Sequence, residues 1–156
     1  MKSNLYKRQI IMFIVMVIIG MLFNPMNILA YRFSDLYISQ TLFYGGLLMA
    51  SNMMWSHEIV HYLSMGHFNQ NIFLLGLVLS GVSIYLLRSQ LFVTDEQWLK
   101  RMISHHSTAL TTSHNILNKT KDMEVKELAN DIIEIQHDEI EFMKNWSITT
   151  FVDDAA

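Results

Sequence analysis

Two short stretches near the C-terminal end concentrate side chains that bind metals or move protons. Met102, His105 and His106 stand close together, and Gln136, Glu139 and Met143 follow one another at intervals of three and four. On a helix such intervals place side chains on a shared face. Thioether sulfur, imidazole nitrogen and amide or carboxylate oxygen together form a soft-to-borderline donor set suited to a transition-metal ion. A histidine on an apolar face is, taken alone, more often a hydrogen-bonded core residue. His106 would then simply bond Gln136 or Glu139, as a structural network without metal.

A second pattern lies upstream. His57, Glu58 and His61 spell a literal H-E-x-x-H. On a helix the two imidazoles share a face and can bind zinc, with the carboxylate as base for the metal's water. An intramembrane zinc metallopeptidase is therefore an alternative function. Adding Met54 and Met65 gives a second candidate soft-metal set: Met54, His57, Glu58, His61 and Met65. The plainer account makes these interfacial histidines that meet water and headgroups.

Composition removes other classes. The chain has no cysteine, which excludes disulfides, thiolate metal sites and cysteine nucleophiles. A net charge of -3 without a basic run gives no basis for nucleic-acid binding. No Ser-His-Asp arrangement, phosphate-binding glycine loop or dinucleotide fingerprint occurs. Polar ligands without a nucleophile, base and open pocket favour binding over turnover, so enzymatic activity is not the leading expectation.

The elements that must position these groups follow from the hydrophobic pattern. The chain is 51% hydrophobic, and between positions 9 and 87 the charged residues are Arg32, Asp35 and Glu58. Spanning helices need ~20 mostly apolar residues. The pattern predicts a membrane domain over 1–89 with three spanning helices, at about 9–31, 36–56 (continuing to 65) and 72–88. A kink is expected near Pro25, a cap for the second helix at Ser34 or Asp35, and a helix stop at Gly66. Gly76 and Gly81 would allow close helix contact. A signal peptide is the competing account of the first run, but no small-x-small cleavage site follows it. Lys2, Lys7 and Arg8 favour a cytoplasmic N-terminus. Three crossings would then place the remainder on the outer face of a bacterial-type inner membrane.

That remainder, 90–148, reads as a helical hairpin. Thr94 and Gln97 have capping-box spacing, a helix is expected from about 95 to 118, and a second runs from about 123 to 146. A short turn makes them antiparallel neighbours, which would bring Met102, His105 and His106 level with Gln136, Glu139 and Met143. The tail 149–156 is expected to fray.

The segment Phe92-Val93-Thr94-Asp95-Glu96-Gln97-Trp98-Leu99-Lys100-Arg101-Met102-Ile103-Ser104-His105-His106-Ser107, read with Gln136, Glu139, Ile140 and Met143, resembles the two signatures of domain-of-unknown-function family 305. The resemblance covers about 90–146. It implies a ferritin-like helical fold, and some members carry membrane spans and are associated with copper binding and copper tolerance in the periplasm. The implied ligands are Met102, His105, His106, Gln136, Glu139 and Met143. Ser104 and Thr108 depart from the family pattern, where Pro and Gly are common. Members often hold two motif sets in a four-helix bundle, whereas this chain holds one. One hairpin buries little surface alone, so the expectation is a homo-oligomer through the hairpin, or a core completed by the membrane helices. Copper(I) ranks first for a Met/His set, zinc second and iron third. The expected whole is an all-α, membrane-anchored protein for copper sequestration or delivery, with the lipid bilayer as partner. The first alternative is an interaction module with a buried polar network.

Overall fold

Among the described residues helices carry the whole secondary structure. The computed structural model describes residues 2–153, with side chains from 5 through 146. In order they are α1 (Lys2–Leu22), the short α2 (Pro25–Ile28), a 3-10 turn (Phe33–Asp35), α3 (Gln40–Met65), α4 (Gln70–Ser89), α5 (Asp95–Leu117) and α6 (Met123–Asp153). The all-α expectation is met among the described residues.

The chain divides into two units, 1–24 with 40–93, and 25–39 with 94–156. The second boundary corrects the sequence reading, which gave 25–39 to the membrane domain. The reason is local: Asp35 is 1% exposed and its polar partners lie on α5 and α6. Asp35 therefore does not serve as the cap expected for α3.

In unit 1, α3 packs against both α1 and α4. Gly46 and Gly76 set the spacing. A Cβ on Gly46 would lie 2.7 Å from the Val17 carbonyl oxygen, and one on Gly76 would lie 2.9 Å from the Trp55 nitrogen. Gly81 meets nothing within 4 Å, so the expected close contact there is absent. Gly66 ends α3 with a φ of 70°, a conformation open to glycine at little cost. Asn69 caps α4 by accepting from the Ile72 N–H.

Two stretches are long and apolar enough to cross a membrane, Leu5–Ile28 and Gln70–Ser89. The expected third, at 36–56, falls short of that standard. Gln40, Ser51, Asn52 and His57 lower the hydropathy of α3, which begins only at Gln40. Ser51 and Asn52 find partners inside the unit: Ser80 Oγ and Trp55 Nε1 both donate to Asn52 Oδ1, and Ser51 Oγ donates to the Leu47 carbonyl. The two qualifying stretches are only 11% and 22% buried. Ile10, Ile14, Ile18, Leu22 and Val78 are each at least half exposed. Neither stretch is thus the buried core helix of a water-soluble unit.

In unit 2, α5 and α6 pack along each other. Thr94 Oγ1 accepts from the Gln97 N–H at the start of α5, as its spacing predicts. Leu99, Ile103, Leu110, Ile140 and Met143 form the core, with Tyr37, Met102 and Ile133 against it. Residues at the start of α5 thus meet residues near the end of α6. The helix expected to end near 146 continues to Asp153, so 149–153 are helical rather than frayed. Residues 154–156 lie outside the described residues.

Candidate functional site

Unit 2 brings part of the predicted donor set together. His106 Nδ1 lies 2.9 Å from Glu139 Oε2. The nitrogen is buried, and the Glu139 carboxylate is the polar group it faces at ion-pair distance. Gln136 Nε2 donates to the same Glu139 oxygen at 3.3 Å. Met102 sits one turn before His106 on α5 and rests against the core. A row of amide, carboxylate and imidazole therefore runs across the α5–α6 seam, with a thioether beside it.

Burial holds the His106 imidazole below the usual histidine range. The Glu139 carboxylate opposes this shift, while His105 adds to it. The physical result is an imidazole biased toward the neutral form, which is the form that ligates metals.

Two expected ligands stand differently. His105 is exposed, with its ring centroid 5.8 Å from that of His106 in an edge-on arrangement. Met143 is 6% exposed and belongs to the apolar core. The donor set is thus graded: His106, Glu139 and Gln136 adjoin, Met102 flanks them, Met143 lies in the core beneath, and His105 points outward. Among the described residues no three His, Asp or Glu side chains converge to hold an ion. An all-nitrogen-and-oxygen cage for zinc or iron is not prebuilt, whereas a site that draws on thioethers needs fewer such groups.

Sequence reasoning missed the polar centre of unit 2. Asp35 accepts from Lys144 Nζ through Oδ1 and from Ser107 Oγ through Oδ2 at 2.7 Å, and Ser104 Oγ donates to its carbonyl at 2.8 Å. Tyr31 stacks on His114 with ring centroids 4.9 Å apart and meets His137 edge-on at 6.0 Å. The available signal was a lone aspartate between apolar runs, together with serines on the inner face of α5.

In unit 1 the H-E-x-x-H residues gather with His67. The rings of His57 and His61 are 6.0 Å apart, and those of His61 and His67 are 6.2 Å apart. Glu58 is 4% exposed, and its Oε2 accepts from the Asn69 N–H at 3.0 Å. That bond ties one oxygen of the carboxylate to the α3–α4 loop. Of the second soft-metal set expected at Met54, His57, Glu58, His61 and Met65, Met54 is buried and Met65 is 69% exposed.

Residues 86–148 match a family model described as domain of unknown function (DUF305). The chain is also 35% identical over 122 residues to an uncharacterized protein of Acanthamoeba polyphaga mimivirus, covering 78% of this chain and 80% of that one. That likeness is too long to be confined to the family-model segment. No solved structure matches the chain.

Proposed function

We propose that this chain, which belongs to the DUF305 family, is a membrane-anchored copper-binding protein that sequesters or delivers the ion at the α5–α6 seam. The observation that carries the reading is the buried His106 Nδ1 held 2.9 Å from Glu139 Oε2, with Met102 one turn away on α5. Copper(I) suits imidazole with thioether ligation. His106 and Met102 would hold it, Glu139 and Gln136 would orient the imidazole from α6, and Met143 and His105 would complete the set after modest side-chain turns.

Membrane anchoring rests on the two exposed apolar helices. In this reading α1 and α4 face lipid, and α3 crosses between them with Ser51 and Asn52 paired internally. The positive N-terminus favours a cytoplasmic start, which places the α5–α6 hairpin on the extracytoplasmic side. The hairpin's open face gives a reason for self-association. Leu128, Ile135 and Phe142 recur at heptad spacing on α6 and are each more than half exposed. A second copy would cover them and complete a four-helix, ferritin-like bundle.

The reading is tested by elemental analysis of the full chain purified in mild detergent from copper-supplemented cells, beside a His105→Ala/His106→Ala variant. Copper in the parent and its loss from the variant is the expected result. Equal copper in both, or none in either, ends the proposal.

A second reading treats the same row as a structural network, favoured by the Gln136–Glu139 hydrogen bond. It predicts that His106→Ala changes stability and leaves metal content unaltered. The peptidase reading has the weaker support, since Glu58 is engaged by the Asn69 N–H.

A further inference from the structure

We propose that unit 1 holds a binding site for a cationic amphiphile, an alkyl chain ending in a primary ammonium group. Two adjoining cavities suggest it. The first, about 430 Å³, is polar at one end, with His57, Glu58 and His61 in its wall. The second, about 330 Å³, is almost wholly apolar, with Ile10 and Phe13 of α1 on one side, Leu75 and Leu79 of α4 on the other, and Met54 of α3 between. Both are walled by Tyr6, Gln9 and Asn71, so a polar head space opens beside a tail groove.

The head space selects for a donor with positive charge. Among the described residues Glu58 is the one charged residue, histidines aside, that lines it; Lys7 and Arg8, neighbours of Gln9, are exposed and do not. Gln9 Oε1 and His57 Nδ1 are both buried without a hydrogen-bond partner, a costly condition that a ligand would relieve. Glu58 Oε2 is taken by the Asn69 N–H, which leaves Oε1, and that oxygen lies 3.9 Å from His57 Nδ1. One ammonium nitrogen at about 2.8 Å from each atom bridges such a gap. Its three N–H groups match three polar atoms in this wall, Gln9 Oε1, Glu58 Oε1 and His57 Nδ1 in the tautomer that makes it an acceptor. An anionic head would meet Glu58 with repulsion and, among the described residues, no Lys or Arg in the wall. The tail groove lies within the segments proposed to cross the bilayer, so this inference rests on the membrane reading and is independent of copper.

The test uses the full chain reconstituted in phosphatidylcholine vesicles with trace diazirine-tagged dodecylamine or diazirine-tagged dodecanoic acid of equal chain length. Crosslinks are mapped by mass spectrometry. The expected result is amine labelling concentrated at positions 10–13 and 72–79, displaced by excess dodecylamine and on the order of tenfold above that of the acid. Glu58→Gln should erase most of the amine-over-acid preference. Leu75→Trp, at a half-exposed position, should block labelling by filling the groove without disturbing the buried Met54. Equal labelling by amine and acid, or labelling spread over Ile14, Ile18 and Val82, marks annular lipid only and overturns the proposal. Flotation separates the two failures: protein that floats with vesicles but labels indiscriminately overturns this site alone, while protein that stays in the aqueous fraction overturns the membrane reading with it.

Discussion

Asp35 and Lys144, separated by 109 positions in the chain, form an ion pair that ties the 25–39 segment to α6. The Asp35 side chain is 2% exposed and the Lys144 side chain 26%, so the two removals are not equivalent. Lys144→Met leaves a buried carboxylate supported only by hydroxyls. It should destabilise unit 2 by about 3 kcal/mol, the usual scale for stripping one partner from a buried pair. Adding Asp35→Asn should recover much of that loss, because the uncompensated charge is gone. Denaturant unfolding of the full chain in mild detergent, followed by the fluorescence of Trp98 and Trp146, provides the comparison.

His106 supplies a pH dependence. Its folded-state affinity for protons is lowered, first by burial, against the pull of Glu139. The unfolded chain therefore binds the proton more readily than the folded one. The contribution to stability is fully present above the ordinary histidine value of about 6.5 and is lost as pH falls through it toward the lowered folded value. His106→Gln should flatten this part of the curve. Glu139→Gln should steepen it, because the opposing attraction is removed. Thermal midpoints between pH 7.5 and 5 decide the matter.

Gly76 and Gly81 lie on the same helix and should respond oppositely to added bulk. Gly76→Val drives side-chain atoms into the Trp55 backbone and should lower stability by about 1–3 kcal/mol, the scale of overpacking. Gly81→Ala enters open space and should leave stability unchanged or slightly raised. Thermal stability of the purified variants in detergent checks both.

The helices themselves were legible because their signals are local. Thr94 and Gln97 announce the start of α5, Gly66 ends α3, and the turn after 118 separates α5 from α6. What escaped the sequence was long-range. Nothing near Asp35 foretells a lysine 109 positions away, so it read as a helix cap. Ser104 and Thr108, which depart from the family pattern, turn out to hold the 25–39 segment: Ser104 Oγ donates to the Asp35 carbonyl and Thr108 Oγ1 to that of Met26 at 2.9 Å. At the candidate metal site, helical spacing placed His106, Gln136 and Glu139 correctly. Adjacent residues diverge by about 100° around a helix, and so His105 turns outward while His106 turns in.

The most direct test of copper binding at the α5–α6 seam is a Cu(I) titration of the full chain in mild detergent against a chromophoric competitor, run for the parent, Met102→Leu and His106→Ala. Saturable binding should weaken at least tenfold in each variant, a difference of about 1.4 kcal/mol, while both variants keep their helix content. Binding that is absent from the parent, or equal in all three proteins, contradicts the account.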